Sequence, residues 1–144
     1  SSQDYIFFRY AEILLNYAEA QNEASSPDPS VYDAIDKVRI RSGLPGLPSG
    51  LSQEQMRVAI HRERRIELAF EEKRWLDLLR WKLAETNLNG PLHGMQITKV
   101  NGTFVYTVIS APSCEREFYP RNYVLPIPQS AIDQNSKLVQ NPGY

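Results

Sequence analysis

The sequence predicts a mainly α-helical fold that includes one small β-hairpin and ends in an extended C-terminal strap. Apolar residues recur at three- and four-residue steps through much of residues 1–87, which is the helical period. Around Asn101-Gly102 the pattern changes to an alternation of period two, which indicates paired strands. Beyond residue 118 four prolines forbid a long helix, although the segment keeps many apolar side chains.

The composition is that of an ordinary globular domain, with 144 residues, of which 42% are hydrophobic and 23% are charged. The 16 basic and 17 acidic side chains give a net charge of −1, which provides neither a basic face for nucleic acid nor a polybasic membrane patch. Cys114 is the only cysteine, so an internal disulfide is excluded. No apolar run reaches the roughly 18 to 20 residues that a membrane-spanning helix needs.

Two amphipathic helices are predicted at the start of the chain. The first covers residues 4–24, and the second runs from an N-cap at Ser30 to Ser42-Gly43. A short turn joins them, so they should form an antiparallel pair. The predicted stripe of the first helix comprises Phe7, Tyr10, Ala11, Leu14, Tyr17, Ala18 and Gln21, and that of the second comprises Val31, Ala34, Ile35 and Val38.

A long third helical stretch is predicted to follow and to reach about Glu85. Ser52 is its expected N-cap, because Gln55 stands three residues later and can reach back to form a capping box. One break is expected within this stretch, near Glu72-Lys73.

The hairpin signal is the dipeptide Asn101-Gly102 between two alternating segments, which favours a two-residue turn with positive φ at both positions. Such a loop sets the register of the strands. One face becomes apolar and the other mostly polar, so the hairpin should lie on a helical body. The expected pairs are Lys99 with Phe104, Ile97 with Tyr106, Met95 with Val108, Thr98 with Val105, and Gln96 with Thr107.

The last 27 residues, 118–144, are too apolar for a disordered tail. We expect them to form a strap in which residues 126–128 and Tyr144 pack on the first helices. A single helical turn is possible at residues 130–134.

The densest charge pattern lies at residues 61–75. Paired carboxylates at helical spacing can act as acid and base in a glycosidase, but here arginines alternate with them and would hold them ionised. We therefore predict no catalytic residue, and a structural ion-pair lattice that also draws on Arg9, Arg39 and Arg41. The predicted members are Glu63, Arg64, Arg65, Glu67, Glu71, Arg74, Asp77 and Arg80.

The sequence indicates no metal site and no cofactor. His61 and Glu63 are two residues apart and therefore point to different faces of a helix. His93 lies in a Pro/Gly loop, and there is no cysteine or histidine cluster of the zinc type.

Aromatic side chains are the candidate ligand contacts, because the C–H faces of sugar rings pack well on them. Trp81, Tyr106 and Tyr119 are the predicted stacking residues. The alternative for each aromatic side chain is packing within the core or an interface.

Five blocks of the chain, taken in order, resemble the C-terminal region of the SusD/RagB family. The first contains Arg9-Tyr10-Ala11-Glu12 and Tyr17-Ala18-Glu19-Ala20, and the last ends in Gln140-Asn141-Pro142-Gly143-Tyr144. One departure is Glu72, where the family usually has Gly after a Phe-Glu pair, which puts the local helix break in doubt. The blocks are residues 9–20, 34–43, 62–71 with its continuation 74–81, 123–129 and 135–144.

The resemblance divides the chain into a helical scaffold (1–87), a variable insertion that carries the hairpin (88–117) and the C-terminal strap (118–144). It implies tetratricopeptide-like helical hairpins. It also implies that the N-terminal part of the full protein is absent, since the chain starts at Ser1 with no initiator Met or signal segment.

Members of the family are expected to be nutrient-binding lipoproteins on the outer-membrane surface of Bacteroidota and not enzymes. They cap a SusC-like, TonB-dependent transporter and deliver oligosaccharides or other nutrients to it. A lipid anchor on the N-terminal part is then the only membrane contact. The alternative is a helical-repeat module that binds only protein. A third hypothesis, a glycoside hydrolase, needs two facing carboxylates free of arginine.

Overall fold

The computed structural model describes residues 7–144, without the side chains of residues 112–114. The chain forms two compact units, Ser1–Leu76 and Asp77–Tyr144. The predicted mainly α-helical class with a small hairpin is confirmed. The elements are α1 (Tyr10–Ser25), α2 (Pro29–Arg41), α3 (Gln53–Glu67), α4 (Lys73–Arg80), α5 (Ala84–Leu88), β1 (Gly90–Val100), β2 (Thr103–Arg116), a 3-10 turn (Pro120–Tyr123) and α6 (Gln129–Gln134).

Helix α1 starts later than predicted. Residues 7–9 are not helical, and Arg9 is an extended N-cap with φ −144°. Residues 4–6 of the predicted helix lie outside the described part of the chain. The Arg9 side chain hydrogen-bonds to Glu67 and Glu71, which lie 58 and 62 residues later in the sequence. Helical periodicity cannot predict such a long-range contact.

The buried face of α1 also differs from the predicted stripe. Leu15, Ala18 and Asn22 are buried, whereas Phe7, Tyr10 and Tyr17 are largely exposed. The predicted stripe is therefore partly right: Ala18 is buried and Ala11 and Leu14 pack against the core, but Leu15 and Asn22 are buried without belonging to the stripe. A second apolar side of α1, with Tyr10 and Tyr17, remains on the surface of this unit.

Helices α1 and α2 form the predicted antiparallel pair. Ala18 packs with Val31 and Ala34 in one core cluster, while the earlier Leu15 packs with the later Val38 in another. All four stripe residues predicted for α2 are buried. The N-cap is Asp28 rather than Ser30, since its carboxylate accepts hydrogen bonds from the Ser30 and Val31 N–H groups at 2.8 and 3.2 Å.

The predicted end of α2 and start of α3 are both confirmed. Gly43 has φ +75°, and the N–H groups of Gly43 and Leu44 donate to Ile40 and Arg39, which is a Schellman motif. Ser52 and Gln55 form the capping box reciprocally. The intervening loop is held against α2, because the N–H groups of Leu47 and Leu51 donate to Asp36 and Tyr32 at 2.8 and 2.9 Å.

The long helical stretch breaks twice, not once as predicted. Five residues between α3 and α4 form turns, in which Phe70 and Glu72 have φ of +64° and +60°. The break beside Glu72 therefore forms without the usual glycine. The second break ends α4 in a Schellman motif, where Leu83 N–H donates to Leu78 O at 3.0 Å and Lys82 has φ +56°. Lysine at that position carries no breaker signal.

The hairpin follows the predicted register. All five expected pairs are present, and Asn101 and Gly102 have φ of +50° and +86°, as a type I′ turn requires. The strands extend further than the alternating segment and meet again where Gly90 pairs with Arg116. A register shift lies between Pro91 and His93, so β2 carries the extra residues.

The expectation that the apolar face of the hairpin lies on a helical body is wrong. Met95, Ile97, Phe104 and Tyr106 are each more than half exposed. The two α-helices that lie wholly within the unit of the hairpin are α5 and α6, which have 5 and 6 residues. At about 1.5 Å per helical residue neither is long enough to cover an 11-residue strand.

The C-terminal segment is an extended chain tied by side-chain amides. Gln140 accepts a hydrogen bond from Ile127 N–H and donates one to Ile127 O, at 2.8 and 2.9 Å. The Tyr144 hydroxyl lies 3.2 Å from Arg121 O and 3.1 Å from Val124 O. Helix α6 matches the single turn that was considered possible. Packing of this strap on the first helices stays a prediction.

The turn geometry predicts that Gly102→Ala destabilises the hairpin by about 1 kcal/mol, because a Cβ is strained at φ +86°. Amide hydrogen exchange of the strand residues, followed by NMR, measures the effect. Gly94→Ala is the matched control, since its φ is not in the left-handed region and its added Cβ would meet Ile109 at an ordinary 3.7 Å. Equal protection in the two variants would contradict the type I′ assignment.

Candidate functional site

The most connected polar group of the helical unit is the guanidinium of Arg9. Its Nε donates to the two carboxylate oxygens of Glu71 at 3.0 and 2.9 Å, and its Nη atoms contact the Glu67 carboxylate and main-chain oxygen. The hydrogen bond to Glu71 raises the pKa of Arg9 above its usual range, and Glu67 adds to the shift. Arg9 therefore stays a cation at every pH at which the chain is folded.

Two carboxylates near the end of α3 are held by arginines of α2. Glu67 also accepts from Arg41 at 2.5 Å, and Glu63 accepts from Arg39 at 2.8 Å. Both carboxylates are less than one-tenth exposed. Each of these acids is therefore paired with a guanidinium from a different element, which ties α3 to α2 and to the start of α1.

The remaining predicted lattice residues are placed in different ways. Arg64 is buried and donates to Asn16 at 2.6 Å, with Glu19 at 3.8 Å. Asp77 pairs with Arg80 at 2.9 Å, one turn along α4. Arg65 is exposed and pairs with none of the described carboxylates, whereas Arg74 lines an apolar hollow described below.

This arrangement favours structure over acid–base chemistry. A general acid needs a carboxyl whose pKa is raised by burial or by a like charge, and Glu63, Glu67 and Glu71 each contact an arginine instead. Among residues 7–144, outside the three undescribed side chains, no group of three or more His, Cys, Asp and Glu residues could hold a metal.

The three predicted stacking residues do not meet in one site. Trp81 is half-buried in the turn after α4, with the Arg80 guanidinium 4.7 Å from its ring centroid. Tyr106 is 63% exposed on β2, opposite Ile97. Tyr119 lies beyond the other end of β2. Counted along β1, from Ile97 opposite Tyr106 to Gly90 opposite Arg116, that end is about 23 Å away at roughly 3.3 Å per residue.

Tyr119 lines a cleft of about 490 Å³ at the base of the hairpin. Its ring is 46% exposed, and Glu117 accepts a hydrogen bond from its hydroxyl. That hydrogen bond raises the pKa of Tyr119, so the hydroxyl stays protonated at neutral pH. The cleft is lined by Glu85, Asn89, Gly90, Glu115, Arg116, Glu117, Phe118, Tyr119 and Pro120.

Asn89 fixes the shape of this cleft. Its side-chain amide donates to Glu85 O at 2.9 Å and to Phe118 O at 3.2 Å, and its oxygen accepts from Phe118 N–H at 2.5 Å. Phe118 is buried against Leu78 and Ala84. The side chain therefore joins the end of α5 to the segment that carries Tyr119.

In the cleft, Arg116 has a side-chain N–H donor, at Nε, without an acceptor among the described residues. Its Nε is buried and none of the described residues accepts a hydrogen bond from it. An unpaired buried donor is uncommon and costs about 1–3 kcal/mol. Sequence analysis singled out Tyr119 but not Arg116, Glu85 or Asn89, because these are ordinary polar residues until the fold brings them together.

A second hollow, of about 630 Å³, is apolar and lies at the break between α3 and α4. The Phe70 side chain there is fully exposed on a backbone with φ +64°. The hollow is lined by Leu68, Phe70, Glu72, Arg74 and Trp75.

No helix in the described part of the chain is both long and apolar enough to span a bilayer.

Comparison with known proteins identifies the class of this fold. A family model described as the SusD family matches residues 1–144, so the chain belongs to the SusD family. It is 36% identical to SusD-like protein P2 of Formosa agariphila, over all of this chain and 26% of that relative. SusD-like protein P25 of the same organism is 40% identical over 56% of this chain and 16% of its own length.

Solved structures agree. The structure of a SusD-like protein from Bacteroides fragilis is similar to this chain with a TM-score of 0.83 and 38% identity, and the match covers 97% of this chain and 26% of that chain. The structure of a SusD homolog from Bacteroides thetaiotaomicron is similar with a TM-score of 0.69 and 30% identity, and the match covers 96% of this chain and 26% of that chain. The family resemblance expected from the five sequence blocks is confirmed. The chain spans about a quarter of the length of these relatives.

The lattice predicts that Glu67→Ala lowers the free energy of unfolding by about 2 kcal/mol, because two guanidinium groups lose a carboxylate that is only 9% exposed. Denaturant unfolding measures this change. Glu54→Ala is the matched control, since Glu54 is 70% exposed and solvent screens its pair with Arg57, so its loss should change stability little. Equal unfolding midpoints for the two variants would contradict a structural role for Glu67.

Proposed function

We propose that this chain is the C-terminal part of a nutrient-binding subunit of an outer-membrane polysaccharide uptake system. In this proposal the full protein is held at the cell surface by an N-terminal lipid and passes oligosaccharide or another nutrient to a SusC-like, TonB-dependent transporter. The observation that carries it is the SusD family match over residues 1–144, supported by the TM-score of 0.83 with a SusD-like structure.

The side-chain chemistry supports binding rather than catalysis. Glu63 of α3 is paired with Arg39, and Glu67 with Arg9 and Arg41, which favours a structural role for these two carboxylates. The cleft at the hairpin base combines a half-exposed aromatic ring with hydrogen-bonding groups. Such a combination can hold a ligand in one orientation without changing it.

Exposed apolar surface supports a protein partner. On α1, Tyr10, Ile13 and Tyr17 are spaced three and four residues apart and form a continuous exposed stripe. The hairpin adds a second such surface. These surfaces fit contacts with the remainder of a SusD-like protein or with the transporter. They are also the observation that favours the second candidate, a helical-repeat module that binds protein and no sugar.

Binding measurements separate the two candidates. Titration calorimetry is carried out on the 144-residue chain and on a longer protein that carries it, against a panel of oligosaccharides. The proposal predicts a dissociation constant near micromolar, about −8 kcal/mol, for the longer protein and much weaker binding for the chain alone. Co-purification of a TonB-dependent transporter with the longer protein tests the partner. A longer protein that binds no oligosaccharide, yet retains a protein partner, would replace this proposal with the second candidate.

A further inference from the structure

We propose that the cleft at the base of the hairpin is a subsite for a neutral sugar ring, stacked on Tyr119 and hydrogen-bonded by Arg116 and the neighbouring carboxylates. This inference rests on the proposed function and deepens it, because it places a contact within this chain and names the chemical class of the ligand.

The aromatic wall is a ring whose orientation is already fixed. Glu117 holds the Tyr119 hydroxyl, and the Arg121 guanidinium lies 5.3 Å from the ring centroid. The ring is nevertheless 46% exposed. Burying the C–H face of a sugar on such a ring removes apolar surface from water and costs little side-chain entropy, because the ring does not need to be ordered first.

The polar wall contains a donor in need of an acceptor. Arg116 lines the cleft, and its Nε is buried with no acceptor among the described residues. A small rotation of the guanidinium toward a bound hydroxyl oxygen would satisfy this N–H. A ligand rich in hydroxyl groups can therefore supply the acceptor that no described residue provides.

The charge balance of the cleft selects a neutral ligand. The residues that line the cleft include three acids, Glu85, Glu115 and Glu117, and one base, Arg116. Carboxylates accept hydrogen bonds from sugar O–H groups. A uronate or sulfate group would instead meet like charge, which disfavours acidic glycans at this position.

The cleft is preorganised and of suitable size. Asn89 clamps the end of α5 to Phe118, the residue that precedes Tyr119. Phe118 is only 6% exposed and packs edge-to-face on Tyr123 at 4.9 Å. The volume of about 490 Å³ lies within the range of roughly 300–1,000 Å³ found for small-molecule sites. The walls need little ordering when a ligand enters, which favours binding.

The test is saturation-transfer NMR and titration calorimetry of the 144-residue chain with maltoheptaose, cellohexaose and xylohexaose, beside oligogalacturonate as the acidic probe. At least one neutral oligosaccharide should bind with a dissociation constant of about 1 mM, as expected for a single stacking ring. Tyr119→Ala should weaken that binding by about tenfold or more. Arg116→Gln should weaken it as well, and oligogalacturonate should not bind.

Tyr10→Ala is the matched control, because Tyr10 is an exposed tyrosine that lies outside the cleft and is not a predicted stacking residue. It should leave the affinity unchanged, and circular dichroism verifies that all variants are folded. Equal losses in the two tyrosine variants, preference for oligogalacturonate, or no binding of any neutral oligosaccharide to the chain would overturn the subsite.

The same substitutions in a longer protein that carries the chain separate the two proposals. If that protein binds oligosaccharide and Tyr119→Ala does not change its affinity, the subsite is wrong while the proposed function stands. If that protein binds no oligosaccharide at all, the proposed function fails and the subsite fails with it.

Discussion

The helical unit depends on the placement of one cation, the guanidinium of Arg9, between the carboxylates of Glu67 and Glu71. This contact joins the residue that begins α1 to the end of α3 and to the turn that follows. Placing the two carboxylates of Glu67 and Glu71 so close together and largely out of water would destabilise the fold without a compensating positive charge. Arg39 and Arg41 of α2 pair with carboxylates of α3 in the same way, so ion pairs as well as apolar clusters join the three helices.

The same interactions decide where function can reside. The carboxylates that pair with arginines hold the helices together. Their spacing in the sequence resembles a pair of catalytic carboxylates, but here it serves the structure. The proposed ligand subsite belongs to the other unit, where Tyr119 and Arg116 line one cleft and the Nε of Arg116 has no described acceptor.

Sequence reasoning succeeded for the strongest local signals, although it placed the N-cap of α2 at Ser30 instead of Asp28. The Asn101-Gly102 turn determines the register of the whole hairpin, and the Ser52 capping box involves residues three apart. It failed where distant segments decide. The start of α1 depends on Arg9 reaching residues 58 and 62 positions away. Lys82 ends α4 in a conformation usually given to glycine, and the cleft joins α5 to a segment about 30 residues later, which no spacing rule contains.

A double-mutant cycle between Arg9 and Glu71 tests the central claim most directly. The free energy of unfolding is measured by denaturant for the wild-type chain, Arg9→Ala, Glu71→Ala and the double variant. The structure predicts a coupling energy of about 1 kcal/mol or more, because the two side chains share three hydrogen bonds at 2.7 to 3.0 Å. Effects that add to within about 0.3–0.5 kcal/mol would show that the two residues act independently and would contradict the account.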